Sequence, residues 1–540
     1  LGSSEVDFES SPHALSDAQA SAVKRILEAG QGRFYLHGVT GSGKTEVFLQ
    51  IAEQVLAQGK GIIYLVPEIA LTHQVSRMLQ SRFGHTAAVL HSRMTPSQRL
   101  GEWRRILDGS ARMVIGARSA VFAPVQQLGL IILDEEHEGA YKSADRPRYH
   151  ARQVAMKRCI LEQAMLIMGS ATPSVEAMHL MESGDLERLG LPERISGGKM
   201  PAISIVDMRK EKNVLSRRLV QSMHETLDSN RQVILFLNRR GFSHFFHCRS
   251  CGEGMQCPHC SVGLTLHKQL GKMVCHYCGY TTKPIDVCPK CSSLDVGYAG
   301  FGTEHIEDEV RRLFPDASIA RLDTDIAKKK GEAERILNGF YSGDIQILLG
   351  TQMVAKGLNF PGLRLVGIIV ADTGLHMPDF RAAERTFNLI TQVAGRAGRY
   401  HNDGEVLVQT YQPENHIIVQ AASGDSESFY RNEIDVRRMT GFPPFSRMIR
   451  LVIRGRQLPL VRSTINKLRA AFPPDDQLPG DCLGPSECAL GKIAGNFRYQ
   501  LILRSNNAAA MHAIADRVLK NFEVPRGVFL EVDVDPLQLL

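Results

Sequence analysis

No stretch of this 540-residue chain approaches the ~18 to 20 consecutive apolar residues that a membrane-spanning helix needs. No charged-then-apolar leader precedes a cleavage site in it either, and a cytoplasmic protein is expected. Charge of one sign is not in large excess: the net charge is +7 and the pI near 8.8. Such mild basicity suits a polyanionic partner and many unrelated proteins alike. The chain opens Leu-Gly-Ser-Ser without a methionine, and its first residues are polar and aperiodic. It is expected to be a piece of a longer chain, with residues 1–14 a tail or linker. What is present is a globular sequence, 43% apolar, too long for one core and suited to about three to four domains.

Its chemistry starts at Gly38-Val39-Thr40-Gly41-Ser42-Gly43-Lys44-Thr45, a complete Gly-x-x-x-x-Gly-Lys-Thr phosphate loop. An apolar run, Arg33 to His37, precedes it and a helical stretch, Glu46 to Gln58, follows. Backbone N–H groups must come close to triphosphate oxygens, so glycines Gly38, Gly41 and Gly43 are needed, and the helix N-terminus adds its dipole. Lys44 is expected at the β and γ phosphates and Thr45 on Mg²⁺, with Ser42 in the same loop. Upstream, Gln19 in Leu15-Ser16-Asp17-Ala18-Gln19 offers the donor and acceptor of an adenine contact. A helix start capped by Ser16 explains that stretch equally well.

From Gly61 to Thr172 apolar strands (Gly61 to Val66, Met113 to Gly116, Leu130 to Leu133, Ala164 to Met168) alternate with helical stretches, the pattern of a parallel α/β sheet. Asp134-Glu135-Glu136-His137 follows a strand directly, which puts its carboxylates at a strand's C-terminal end beside the phosphate loop. Asp134 is expected to hold Mg²⁺ and Glu135 to orient and deprotonate the attacking water. The next stretch, residues 138–152, mixes Tyr141, Tyr149 and His150 with Lys142, Arg146, Arg148 and Arg152. It reads as a stacking platform for unpaired bases or, evenly, as a basic surface loop. Gly169-Ser170-Ala171-Thr172-Pro173-Ser174 reads as a hydrogen-bond relay through Ser170 and Thr172 or as a capped helix start.

After a polar break at 196–199 a second sheet is expected from Gln232 to Leu237, Ile345 to Leu349, Leu365 to Val370 and Glu405 to Gln409. This lobe has no phosphate loop. Its chemistry lies in Gln392-Val393-Ala394-Gly395-Arg396-Ala397-Gly398-Arg399, where two arginines three apart share a helical face. Arg396 and Arg399 are expected as arginine fingers on the transferring phosphoryl group.

Eight of the eleven cysteines form four Cys-x-x-Cys pairs, 248/251, 257/260, 275/278 and 288/291. In a chain expected in the cytosol this spacing means zinc rather than disulfides. Fourteen residues separate Cys260 from Cys275, and they carry a strand, a polar turn and a strand. The inner cysteines Cys257, Cys260, Cys275 and Cys278 should therefore share one zinc, and Cys248, Cys251, Cys288 and Cys291 a second. His247, His259 and His276 are read as non-ligands, and the zinc module as a scaffold or a contact surface. Beyond it, segments from Met448 to Val534 read β-α-β-β-α-β, the ferredoxin-like order.

Phosphate loop, DEEH, GSATPS, GTQMVAKG (Gly350 to Gly357) and QVAGRAGR in this order resemble a superfamily 2 helicase with two RecA-like lobes. The eight-cysteine insertion, DEEHEGAYKSADRPRYHAR, PDFRAAER (Pro378 to Arg385), GNFRYQLIL and VDVDP make the match more specific. Together they resemble the PriA family of bacterial primosomal replication-restart DNA helicases, from about Leu15 to Pro536. The resemblance implies an ATP-dependent 3′ to 5′ DNA helicase at stalled or branched forks, with ATP, Mg²⁺ and two Zn²⁺, and with primosome or single-strand-binding proteins as partners. It implies that the aromatic-rich loop couples single-strand binding to hydrolysis. It also assigns Arg118, Asn238, Arg239, Thr351, Lys356 and Gln392 to DNA or to coupling. The family's N-terminal DNA-binding region has no counterpart in this sequence, which leaves fork specificity open. The expected division is a first lobe at 15–199, a second at 200–245 and 293–422, the zinc insertion at 246–292 and an α+β domain at 423–540. An RNA helicase, or an ATP-switched zinc-containing loading scaffold that does not translocate, are the alternatives.

Overall fold

The computed structural model describes residues 14–67, 79, 81–92, 94–195, 201–211, 213–237, 246–248, 250–259, 263–267, 271–275, 279–297, 303–322, 326, 331–350, 360–398 and 403–539. Two compact units part near residue 200. The first is built on seven parallel strands, β1 (Arg33–Gly38), β2 (Gly61–Leu65), β3 (Ala87–Leu90), β4 (Met113–Gly116), β5 (Leu128–Asp134), β6 (Met165–Ser170) and β7 (Glu187–Leu191), in the order β3-β4-β2-β5-β6-β1-β7. Both sheet faces are covered. Along β2, Ile62 and Tyr64 enter one core while Ile63 and Leu65 enter the other, so the strand is apolar throughout rather than alternating. Because β5, β6 and β1 are neighbours, the register sets Asp134 beside Gly169 and His37 beside Ser170. The carboxyl ends of three strands thereby bring the phosphate loop, the DEEH segment and GSATPS to one rim.

The second unit holds three parts. β8 (Ala202–Asp207) and β9 (Gln232–Leu237) precede an insertion with short strands β10 (His247–Cys248), β11 (Thr265–His267), β12 (Lys272–Val274), β13 (Thr281–Thr282) and β14 (Val296–Gly297). β15 (Ile319–Leu322), β16 (Ile347–Gly350), β17 (Leu363–Ile369) and β18 (Glu405–Thr410) then complete a six-stranded parallel sheet in the order β15-β16-β9-β17-β18-β8. The chain continues through β19 (Arg447–Gly455), the helix Leu458–Ala471, β20 (Asp481–Ile493), β21 (Asn496–Ser505), the helix Ala508–Asn521 and β22 (Val528–Val534). This four-stranded antiparallel sheet is ordered β20-β21-β19-β22, the ferredoxin-like arrangement.

The insertion does not stand apart from its unit. Cys248, Cys257, Cys275 and Cys288 share a buried cluster with Phe442, Met448, Ile502 and Leu539 from far along the chain. A charged cluster adjoins it: Arg437, 1% exposed, donates to Glu433 (2.9 Å) and Glu384 (2.7 Å). Arg385 in turn donates to the carbonyl of Leu537 and pairs with Asp379 at 3.1 Å. The helix Ala382–Ala394, which ends just before Arg396, is thus tied to the C-terminal domain at its N-terminal end.

Candidate nucleotide site and metal centre

β1 delivers the chain into the phosphate loop, and the helix Lys44–Ala57 begins at once behind it. Gly41 and Gly43 take φ of 85° and 74°, left-handed values open to glycine. A Cβ on Gly43 would collide with Ile195 Cδ1 and Gln19 Nε2. Lys44 folds back over the loop, its Nζ donating to the carbonyls of Gly38 (2.9 Å) and Val39 (3.4 Å). Ser42 Oγ is buried with no hydrogen-bond partner among the described residues. An orphaned hydroxyl beside a folded lysine and a helix N-terminus fits an anion seated in the loop.

Gln19 is arranged differently from the expected adenine contact. It is 2% exposed, its Oε1 accepts from Ser16 N (2.8 Å), and its Nε2 donates to Ser42 O (2.9 Å). Ser16 closes the reciprocal half of the capping box. In this arrangement the amide joins the helix cap to the phosphate loop, so Gln19 positions the loop.

On the same rim, Asp134 ends β5. Tyr64 OH donates to its Oδ2 (3.2 Å) and Glu135 N to its Oδ1 (2.9 Å). Burial and the neighbouring Glu135 charge raise its pKa to about 6, against the opposing pull of Lys44. Tyr64 also hydrogen-bonds Thr45, so one buried hydroxyl links the two residues that fit a Mg²⁺ ion. Glu135 has φ of 47°, uncommon for a side-chain-bearing residue. Its Oε2 accepts from Ser170 Oγ at 2.9 Å, and His137 Nδ1 lies 2.7 Å from the same hydroxyl. Thr172 N donates to Ser170 Oγ as well, at 3.0 Å. The capped helix start is present, since Ser174 Oγ caps the helix Val175–Glu182 through Ala177 N (3.1 Å).

Glu136 points the other way. Buried, it accepts from Arg152, from Ser174 Oγ (2.8 Å) and from Tyr35 OH (3.2 Å). Adjacent glutamates thus divide into one facing the reaction rim and one inside the fold.

The aromatic-rich loop corrects part of the sequence reading. Tyr141 is fully buried, its hydroxyl donating to the carbonyls of Asp134 (2.6 Å) and Leu65 (3.0 Å). His150 is 6% exposed and caps the helix Ala151–Glu162 by accepting from Arg152 N. Neither ring offers a face for stacking, because both are buried inside the lobe. Lys142 Nζ donates to Arg148 O (2.8 Å), stapling the loop across its base. Tyr149 stays half-buried, packed edge-on against the exposed Phe122 with ring centroids 4.7 Å apart and Arg118 5.8 Å over its ring. Arg118 donates to Lys142 O at 2.6 Å, which ties it to this loop.

In the second unit, Gln392 lies in the last turn of the helix Ala382–Ala394 and Arg396 just beyond it, both half-buried. Gly398 has φ of 68°, and a Cβ on Gly404 would collide with its backbone. Arg399, Asn238, Arg239, Thr351 and Lys356 lie outside the described residues, as do Cys260 and Cys278 of the inner zinc set.

The outer cysteines converge. The sulfurs of Cys248, Cys251, Cys288 and Cys291 all lie within 4.8 Å of one another. Cys248 to Cys291 and Cys251 to Cys288 are each 3.6 Å apart. Tetrahedral Zn–S bonds of ~2.3 Å require sulfurs ~3.8 Å apart, so the set fits zinc. Backbone geometry repeats from one knuckle to the next: Cys248 N bonds Glu253 O, Cys275 N bonds Tyr280 O, and Cys288 N bonds Ser293 O, at 2.8 to 3.0 Å. In each, the residue four past the cysteine donates back to it and is left-handed, Gly252, Gly279 and Ser292 at φ 73°, 79° and 58°. The Cys275 knuckle therefore has the form of the two that build the outer site. β11 and β12 pair antiparallel between the inner knuckles, Thr265 opposite Val274.

Known proteins agree with this architecture. The replication restart protein PriA of Treponema pallidum is 52% identical over 529 residues, 98% of this chain and 80% of that protein. The chain belongs to the PriA family. The PriA of Bacillus subtilis is 39% identical, covering 98% of this chain and 67% of its own, and that of Synechocystis is 39% identical, covering 97% and 65%. Family models agree piece by piece. DEAD/DEAH box helicase matches 16–180, the PriA DNA helicase Cys-rich region 257–283, the helicase conserved C-terminal domain 283–401, and the primosomal protein N C-terminal domain 438–537. The Cys-rich model of PriA spans all four inner cysteines. Among described residues, no helix is long and apolar enough to cross a membrane.

Two functional features escaped the sequence reading. Tyr64 sits in an unbroken apolar strand, where a tyrosine reads as core. Glu136 was not separated from its neighbours, although a carboxylate one residue on from an outward-facing one at a strand end points to the opposite side.

Proposed function

We propose that this chain is the motor of a replication-restart DNA helicase, hydrolysing ATP to move 3′ to 5′ along one strand and open branched forks. The observation that carries the reading is the chain of contacts from Glu135 through Ser170 to His137 at the rim that also holds Lys44 and Asp134. It supports a carboxylate held ready to take a proton from water beside a triphosphate. Lys44 would bind the phosphates, and Thr45 and Asp134 would hold Mg²⁺, which would supply positive charge to offset that of the phosphates. Arg396 and Arg399 are proposed to stabilise charge on the phosphoryl group being transferred.

Two zinc ions per chain are proposed, one on the outer cysteines and one on Cys257, Cys260, Cys275 and Cys278. Tyr149, Phe122 and Arg118 form the candidate strand contact on the first lobe, and the buried Tyr141 hydroxyl supports the loop against the Asp134 carbonyl. Fork DNA, primosomal partners and a cytoplasmic setting complete the proposal.

The test is ATP hydrolysis by the whole chain alone, with single-stranded DNA, with RNA and with forked duplex, with Lys44→Ala as control. Selective stimulation by DNA is expected. Equal stimulation by RNA would favour an RNA helicase, and hydrolysis indifferent to every nucleic acid would favour a switch that does not translocate.

A further inference from the structure

The segment that leaves β7, Leu191 to Ile195, belongs to none of the helicase motifs, yet it runs along the phosphate loop. Val39 N donates to Leu191 O (3.2 Å) and Ile195 N to Gly41 O (3.1 Å), so the segment is fastened to the loop at both ends by backbone bonds. β7 makes this possible, because it is the edge strand paired with β1, with Gly38 opposite Leu191. Between those bonds, Arg194 Cγ comes within 4.0 Å of the place a Cβ would occupy on Gly41. Ile195 is an apolar side chain left 62% exposed, and its Cδ1 lies against Gly43 beside Gln19.

We propose that this segment is part of the nucleotide site, with Arg194 supplying a cation to the phosphates and Ile195 an apolar contact to the base. The proposal rests on the reading of Gly38 to Thr45 as the ATP site. Arg194 stands on the flank of the phosphate loop at Gly41, and a guanidinium is suited to pairing with polyphosphate oxygens. Ile195 lies beside Gln19 at the loop, and its exposed side chain offers apolar surface there to a base. An exposed isoleucine on the glycine-rich loop also needs a reason, and partial cover by a flat, weakly hydrated base supplies one.

Equilibrium binding of ATP and AMP to the whole chain, wild type against Arg194→Ala, Arg194→Lys and Ile195→Ala, tests both halves. Arg194→Ala should weaken ATP about tenfold or more while changing AMP far less, and Arg194→Lys should restore part of the loss. Ile195→Ala should weaken ATP and AMP alike, by roughly threefold to tenfold. Both side chains are at least partly accessible, so thermal unfolding should be unmoved. ATP affinity unchanged in Arg194→Ala and Ile195→Ala, with Lys44→Ala having lost it, overturns the proposal and leaves the site standing. Full ATP affinity in Lys44→Ala overturns the site itself and the proposal with it.

Discussion

Replacing Glu136 and replacing Glu135 should have opposite consequences although the two residues are adjacent. Glu136 faces inward to Arg152, Ser174 and Tyr35. The Arg152 side chain is only 12% exposed, so Glu136→Ala strands a guanidinium with little water to replace its partner. Removing one member of such a buried pair costs about 3 to 5 kcal/mol. For a lobe of this size each kcal/mol lowers the Tm by roughly 2 to 4 °C, giving a drop on the order of 6 to 20 °C. Glu135, with its side chain 42% exposed and bonded to Ser170, is a different case. Glu135→Gln should leave stability within about 0.5 kcal/mol and remove hydrolysis. The assay pairs urea unfolding with ATP turnover on both variants, and adds Glu136→Met with Arg152→Met, which should recover much of the lost stability because no charge is left unpaired. Loss of less than about 1 kcal/mol in Glu136→Ala, or equal destabilisation by Glu135→Gln, would refute the division of roles.

Metal analysis should give two zinc ions per chain; Cys251→Ser should remove one and Cys275→Ser the other, and a parent value of one would contradict the inner site. The pH profile of first-lobe stability should carry the mark of His37, whose pKa is lowered to about 4 by burial, with Arg188 and Lys44 adding to the effect. Above the unfolded value of 6.5 its contribution is complete, because the ring is neutral in both states. As pH falls from 6.5 towards 4 the unfolded chain binds the proton first, so roughly 3 kcal/mol is lost and the loss then levels off. In His37→Asn that stretch of the profile should flatten; an unchanged slope would assign the acid sensitivity elsewhere.

How much of this could be read in advance follows from burial. In the parallel sheets the strands expected from apolar runs, five in the first and four in the second, are the central ones, and the four that went unseen, β3, β7, β8 and β15, are the edges. A central strand is covered on both faces and reads as one apolar run, whereas β7 (Glu-Arg-Leu-Gly-Leu) alternates in and out of solvent and looks like a loop. Motif chemistry was legible for the same kind of reason, since a phosphate loop and a Cys-x-x-Cys knuckle are local backbone shapes written in consecutive residues. Where roles depended on which way a side chain turned, the sequence was silent. Tyr141 and Tyr149 stand in one basic stretch, and only the fold sends the first to the Asp134 carbonyl and the second toward the surface. Gln19 could serve a base or a helix cap, and only the fold shows its amide joining the cap to the loop.

The buried cluster around the zinc cysteines also has a consequence in time. Its thiols come from residues 248 to 291, but Phe442, Met448, Ile502 and Leu539 complete its apolar side. From Cys291 to Leu539 is 248 residues. At about 5 to 20 residues per second, synthesis leaves that side uncovered for roughly 12 to 50 s after the last thiol has emerged. Metal capture can begin early, while burial must wait, so a nascent chain passes through an interval in which its thiolates are open to oxidants and to competing metals. Cells short of zinc, or under oxidative stress during synthesis, should accumulate chains damaged at these cysteines even where finished molecules resist the same treatment.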